Sequence, residues 1–434
     1  MLYLYKKIAK LTRFASKLAG KKGTDLPGKV LRKLDDNILE KLAKEYEEIV
    51  FVTGTNGKTT TSNLIGHVLR ENNIASVNNF EGANMLDGII STFAIQSKKN
   101  VKLAIIEIDE GSIRRVMEYV TPTKFLFTNF FRDQIDRFGE IDTLIETIGN
   151  QIEGKNIELI LNSDDPFVSR LAKYGDKNIY FGIASDAYEF GDFGISESKF
   201  CPVCSKELDY KHIHYSQLGD YICSGCGFKR HETQYEVTKA TVEPFINIEI
   251  NNKEKITSQL AGDYNIYNIL AAYSLLREIG VSDEQIQKGL KTYSAKNGRM
   301  QSININDKTT VLLNLAKNPA GLNASLSIAN NIEEPINYLL VLNDNGADGF
   351  DISWIWDTDF EMLQKQNIAN IVCSGKRAKE LALRLKYADI KANVVVYENI
   401  KEAVAELKKY KEHYSLAIPN YTALVETQKE LEAK

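Results

Sequence analysis

Seven residues constrain this chain more than any others: Gly54-Thr55-Asn56-Gly57-Lys58-Thr59-Thr60, set between an apolar, β-branched run at 49–53 and a helical pattern over 59–73. A glycine loop that leaves a strand and opens a helix gathers backbone N–H groups and the positive helix end around one point, which suits phosphate. In that setting Lys58 is expected to bridge phosphate oxygens, and the Thr59 hydroxyl to ligate Mg²⁺. The longer and commoner form of such a loop needs glycine at position 52; Val52 stands there, so this version is shortened.

Further strand-like runs at 103–108, 125–128 and 157–161 each lead into polar or acidic residues, and a helical segment spans 264–279. This alternation implies a parallel sheet covered by helices, with ligands at the carboxyl ends of the strands. The run at 103–108 brings Glu107, Asp109 and Glu110 to that edge, and acids there supply the hard oxygens that nucleotide-bound Mg²⁺ prefers. Glu107 is the expected ligand. Strands at 338–342, 368–373, 393–397 and 416–418 alternate with helices and form a second, smaller α/β unit. The expected organisation is a basic helical segment over 1–45, a central unit over 46–297 and a C-terminal unit over 298–434.

Residues 198–232 interrupt the rhythm with Cys201, Cys204, Cys223 and Cys226, spaced C-x₂-C-x₁₈-C-x₂-C. That spacing fits a zinc ribbon, and four thiolates leave Zn²⁺ no open position, so the expected role is structural. Paired cysteines in a chain this long also fit a reducing compartment, hence the cytoplasm, better than a disulfide scaffold. The formal net charge of −4 disfavours a nucleic-acid coat, which usually needs a basic surface.

Basic residues collect at the start: Lys6, Lys7, Lys10, Arg13, Lys17, Lys21 and Lys22 precede the first acid, while Leu4, Ile8, Leu11, Ala15 and Leu18 recur at helical spacing. Two readings stay open for this amphipathic helix. It docks on the protein with its lysines in water, or it touches the anionic inner face of the cell membrane as a peripheral element. No apolar run is long enough to span a bilayer.

The loop Gly54 to Thr60 resembles the ATP loop of the Mur ligase family, and further matches follow in the family's order. Asn162-Ser163-Asp164-Asp165-Pro166 resembles its N-A-D-D-P segment, and Gly262-Asp263-Tyr264-Asn265-Ile266-Tyr267-Asn268 the segment whose second asparagine reads adenine, a role that falls to Asn268. Gly298-Arg299-Met300 resembles the hinge whose arginine contacts nucleotide phosphates. Thr128-Asn129-Phe130-Phe131-Arg132-Asp133-Gln134 departs from the family at Gln134, where a histidine commonly helps bind a second magnesium. The resemblance implies a parallel-sheet ATPase domain carrying the zinc ribbon, followed by a Rossmann-like α/β domain.

Within the family the chain is most similar to the synthetase subunits that amidate D-glutamate in lipid II. Thr24-Asp25-Leu26-Pro27-Gly28, the segment from Asn314 to Gly321 and the segment from Asn343 to Asp351 carry this likeness. Peptide-forming members have D-Y-A-H-x-P where Asn314 to Pro319 stand. The resemblance implies an ADP-forming carbon–nitrogen ligase of peptidoglycan synthesis that makes an acyl phosphate and receives ammonia from a GatD-like glutaminase subunit. It also gives Asp351 to the glutaminase's active site across the subunit interface. Cys373 closes an apolar strand and reads as a buried structural thiol, so the ammonia must come from another polypeptide. The alternatives are an amino-acid-adding Mur-type peptide ligase and, from a different class, a zinc-ribbon ATPase acting on nucleic acid.

Overall fold

The computed structural model describes residues 1–19, 23–80, 82–97, 100–131, 141–190, 198–242, 246–294, 298, 300–305, 309–330, 332–410 and 414–433. Its first large layer is a nine-stranded sheet in the order β11-β10-β9-β6-β5-β4-β1-β3-β2. Here β1 is Glu48–Thr53, β2 Ser76–Asn78, β3 Leu103–Glu107, β4 Lys124–Phe127, β5 Glu158–Asn162 and β6 Lys177–Ile183. These six run parallel and are near-continuously apolar in their middle, as strands covered on both faces must be. The sheet then continues through β9 (Tyr235–Thr241), β10 (Ile246–Ile250) and β11 (Glu254–Ser258), the last two pairs antiparallel. The sequence reading did not anticipate this antiparallel extension.

Five early helices pack around the parallel half: α1 (Leu2–Leu18), α2 (Leu26–Leu34), α3 (Ile38–Ala43), α4 (Lys58–Glu71) and α5 (Leu86–Gln96). The side chains split into two cores, one on each sheet face. Val50, Val52, Leu64, Ile65 and the helix Asn265–Glu278 belong to one; Phe51, Phe125, Phe127 and residues of α2, α3 and α5 belong to the other.

α1 docks through one face and leaves another bare: Ala9 and Ser16 are buried, with Leu2, Tyr5 and Ile8 packed beside them, while Leu4, Leu11 and Leu18 are exposed.

A two-stranded hairpin, β7 (Asp209–Tyr215) and β8 (Leu218–Ile222), forms the body of the cysteine-rich insertion. The second large sheet has the order β12-β13-β17-β14-β15-β16. Its strands are β12 (Gln301–Asn304), β13 (Thr310–Leu313), β14 (Ile336–Val341), β15 (Ile368–Ser374), β16 (Asn393–Tyr397) and β17 (Tyr414–Pro419). All its pairs are parallel except β12 with β13.

Candidate active site at the cleft between the two sheets

β1 lies between β3 and β4, and the chain leaves it for α4 before building strands on either side, so a crevice opens beyond its carboxyl end. The loop from Gly54 to Gly57 fills that crevice. Gly57 takes φ of +85° as the residue before α4, and a Cβ there would come within 2.0 Å of Asn268 Oδ1, so glycine is required twice over. Thr128 and Asn129 brace the loop from β4's end: Thr128 Oγ1 donates to the Asn56 carbonyl at 2.8 Å, and the Asn56 amide donates to Asn129 Oδ1 at 2.9 Å. This bracing, invisible to spacing arguments, explains the Thr-Asn pair at 128–129.

Lys58 is buried. Its ammonium donates to the Gly54 carbonyl and, at 3.0 Å, to Glu110 Oε2. Burial penalises the Lys58 charge, but Glu110, Asp109 and Glu107 more than offset this and hold its pKa above the ordinary lysine value. Burial likewise pushes Glu110 upward, against the pull of Lys58. The Thr59 hydroxyl donates to Glu107 Oε1 at 3.0 Å, and Asn84 Nδ2 reaches the same oxygen at 2.8 Å. Asn79 fixes the backbone of Glu107 through two bonds of 2.8 Å. The structure therefore brings Lys58, Thr59 and Glu107 together, and adds Glu110, which the sequence reading placed nearby without singling it out.

On the other side of the loop, Asn268 is buried and donates to Asn265 Oδ1 at 2.7 Å. It lines a pocket with Gly57, Thr60, Tyr264, Met300 and residues of the C-terminal unit, including Asn314 and Gly321. Asn318 caps the helix Pro319–Ser327 and donates to Asn56 Oδ1 at 3.2 Å, so the segment 314–321 faces the phosphate loop. Arg299, Gln134 and Arg132 lie outside the described residues.

The four cysteines converge. Their sulfurs all lie within 4.8 Å of one another, with Cys201–Cys226 at 3.6 Å and Cys204–Cys223 at 3.4 Å. A tetrahedral ion with ~2.3 Å bonds to sulfur holds its thiolates roughly 3.8 Å apart, which these spacings fit. Burial pushes the Cys201 thiol up to about 12, whereas at Cys223 burial is outweighed by the backbone N–H groups of Cys226 and Gly225 together with the Cys204 and Cys201 thiols, which bring it down to about 6. The hairpin above them reaches back into the cleft. Tyr215 donates its hydroxyl to the Ala320 carbonyl at 2.5 Å, and Gln217 Nε2 donates to the Phe130 carbonyl at 2.7 Å. Tyr215 and Leu218 also line the pocket of Asn268. Asp164, from the 162–166 segment, ties this insertion to the core, pairing with Arg230 at 2.6 Å and accepting from Tyr267 at 2.8 Å.

Asp348 and Asp351 part company. Asp348 turns inward and accepts from the Thr422 amide at 2.8 Å; Asp351 is exposed and accepts from the Ser353 amide at 2.8 Å, which holds its carboxyl below the usual range. Cys373 is buried, and burial pushes its thiol up to about 12.

Comparison with known proteins places this geometry. Residues 52–276 match the Mur ligase middle domain and residues 315–424 the MurT ligase C-terminal domain. The lipid II isoglutaminyl synthase (glutamine-hydrolyzing) subunit MurT of Staphylococcus aureus (strain COL) is 52% identical over 96% of this chain and 94% of its own length.

The chain belongs to the MurT group of Mur ligases.

The MurT subunit of Streptococcus pneumoniae (strain ATCC BAA-255 / R6) is 36% identical over 93% of this chain and 91% of its own. Among solved structures, a pseudomurein peptide ligase type C from Methanothermus fervidus superposes with a TM-score of 0.70 at 22% identity, covering 91% of this chain and 80% of its own. MurF from Acinetobacter baumannii gives 0.66 at 17%, covering 92% and 79%. Both show the Mur ligase fold. Membership makes the chain an ATP-dependent ligase, and the two matched segments are those that meet across the cleft, one carrying the phosphate loop and the other Asn318.

Proposed function

We propose that this MurT-family chain is the synthetase subunit of a lipid II isoglutaminyl synthase. It converts the α-carboxylate of D-glutamate in lipid II to the carboxamide of D-isoglutamine, with ATP and ammonia. The observation that supports this reading most directly is the meeting of the MurT-specific segment 314–321 with the phosphate loop in a cleft where Lys58, Thr59 and Glu107 converge.

ATP lies with its phosphates on Gly54, Thr55, Asn56, Gly57, Lys58, Thr59 and Thr60 and its adenine towards Asn268, and Arg299 adds a phosphate contact. Lys58 then exchanges the Gly54 carbonyl and Glu110 for phosphate oxygens, a preorganised charge aimed at the transferring group. Thr59 and Glu107 would hold Mg²⁺, which shields phosphate charge when bound. A carboxylate oxygen attacks the γ-phosphorus and ADP departs. Ammonia then attacks the acyl carbon, loses a proton, and the acyl–oxygen bond breaks to release phosphate. Activation is needed because a bare carboxylate has no leaving group.

Cys201, Cys204, Cys223 and Cys226 fit Zn²⁺ by donor set and spacing, with no open position for chemistry. A GatD-like glutaminase delivers the ammonia, and the outward turn of Asp351 supports its role in that subunit's active site. Lipid II is membrane-anchored, so the work takes place at the inner face of the cell membrane.

The test is reconstitution of the purified chain with its glutaminase, ATP and lipid II, following ADP release and the mass of the stem peptide. Amidated product from glutamine, and from ammonium salts without the partner, is the expected result. A product extended by an amino acid, with no amide formed, would overturn the reading.

A further inference from the structure

The outward face of α1 has no counterpart in an ordinary surface helix, which buries its large apolar residues. Leu4, Leu11 and Leu18 recur every seven residues, Phe14 lies between the last two, and they are 57%, 67%, 75% and 63% exposed. The helix is held from its other side, by Ala9 and Ser16, by Leu2, Tyr5 and Ile8 packed beside them, and by the Lys6–Glu45 ion pair at 2.5 Å. Lys7, Lys10 and Lys17 are exposed beside the stripe. No acid precedes Asp25, although the whole chain carries −4, so positive charge is concentrated where the apolar residues point outward.

We propose that α1 lies in the interface of an anionic lipid bilayer, with Leu4, Leu11, Phe14 and Leu18 at the acyl boundary and Lys7, Lys10 and Lys17 among the phosphate headgroups. The pattern of exposed leucines and an aromatic flanked by lysines is the one that lays a helix in a membrane plane. The idea deepens the proposed function, since it rests on a lipid-linked acceptor. It also gives the helix a place beside the chemistry. Arg13 and Thr24, behind the stripe, line a cavity of about 290 Å³ that extends to Asn79, whose amide donates to the Glu107 carbonyl at 2.8 Å. The cavity thus runs from α1 to the residue that fixes the backbone of Glu107.

Flotation of the full chain with vesicles of phosphatidylcholine and phosphatidylglycerol, without nucleotide or acceptor, tests the proposal. The protein should float with the anionic vesicles, less so at high salt, and not with phosphatidylcholine alone. Leu11→Glu/Leu18→Glu and, separately, Lys10→Glu/Lys17→Glu should each weaken partitioning by about tenfold or more. Both variants should keep wild-type thermal stability and amidation of a water-soluble muropeptide, and lose amidation of vesicle-embedded lipid II. The proposal is overturned if the wild-type chain stays in the soluble fraction, or if the leucine variant floats undiminished. It is equally overturned if the leucine variant loses self-association or glutaminase binding while flotation persists, since the stripe would then be a protein interface. Failure of the wild-type chain to amidate the soluble muropeptide would defeat the amidation reading and leave the flotation result standing.

Discussion

Lys58 and Glu110 face each other at 3.0 Å, both buried, so the ammonium proposed to meet phosphate is held charged and parked on a carboxylate. Lys58→Met should reduce amidation by on the order of 10²-fold or more, the scale of losing one preorganised charge contact. Stability should change little. Burial already raises Glu110, so without its partner that carboxyl takes up a proton instead of remaining a stranded charge. ADP release and the thermal midpoint, measured together, check this; an inactive variant that has also lost its fold would speak against the assignment.

The two acids of the 348–351 turn should separate by phenotype. Asp351→Asn is expected to cut glutamine-dependent amidation by on the order of 10²-fold or more, as when a histidine loses its orienting acid. Ammonium salts should restore most of the rate. Asp348→Asn leaves one acceptor oxygen where the carboxylate uses two, for the Thr422 amide and for the Asn345 amide and Thr422 hydroxyl, and should lower the thermal midpoint instead. Equal loss of the Asp351→Asn activity with either nitrogen source would refute the division.

Removing the proposed zinc from the cysteine cluster should be felt at the nucleotide. The hairpin of the insertion places Tyr215 and Leu218 in the pocket of Asn268, so a chelator should lower thermal stability and raise the KM for ATP together. Tyr215→Phe, which deletes the 2.5 Å bond to Ala320 and keeps the ring, should raise KM without releasing metal. An unchanged KM after complete zinc loss would show the insertion to be energetically separate from the cleft.

Mild acid should loosen the same joint. His214 is buried with Nε2 donating to the Ile183 carbonyl at 3.0 Å. Burial lowers its pKa below 6.5; Asp164 opposes this, and His212 and Arg230 reinforce it. A base whose folded pKa is depressed contributes stability above its unfolded value that is lost as pH falls through the folded one. The thermal midpoint should therefore fall below pH 6.5, by about a few degrees at most. His214→Phe should flatten that slope, and an unaltered slope would locate the titration elsewhere.

How much of this was legible before the fold was known follows from how local each signal is. The phosphate loop, its flanking strand and helix, and the two Cys-x₂-Cys pairs are short-range patterns, and β1, α4, β3 and β16 fall where periodicity put them. The antiparallel extension of β9 to β11 was missed because its half-exposed, charged strands lack the apolar runs of the parallel core. Glu110, Asn129 and Tyr215 act through partners 52, 73 and 105 residues away, and spacing along a chain carries no record of such meetings. For α1, periodicity revealed that one face is apolar; which way that face turns is decided by Ala9 and Ser16, small residues that a hydrophobicity pattern scarcely registers.

Asn56 and Asn318 touch across 262 residues of chain, the first on the phosphate loop and the second at the head of a helix in the other half. The pocket beside that contact is lined by Gly57 and Asn268 from one half and by Asn314 and Gly321 from the other, so a ligand bound there touches both. A nucleotide held there as proposed would couple its affinity to the placement of the halves, and a change in either would alter the other by the same factor. A substitution that merely tilts the halves apart will present itself as weak ATP binding, with every residue of the loop intact.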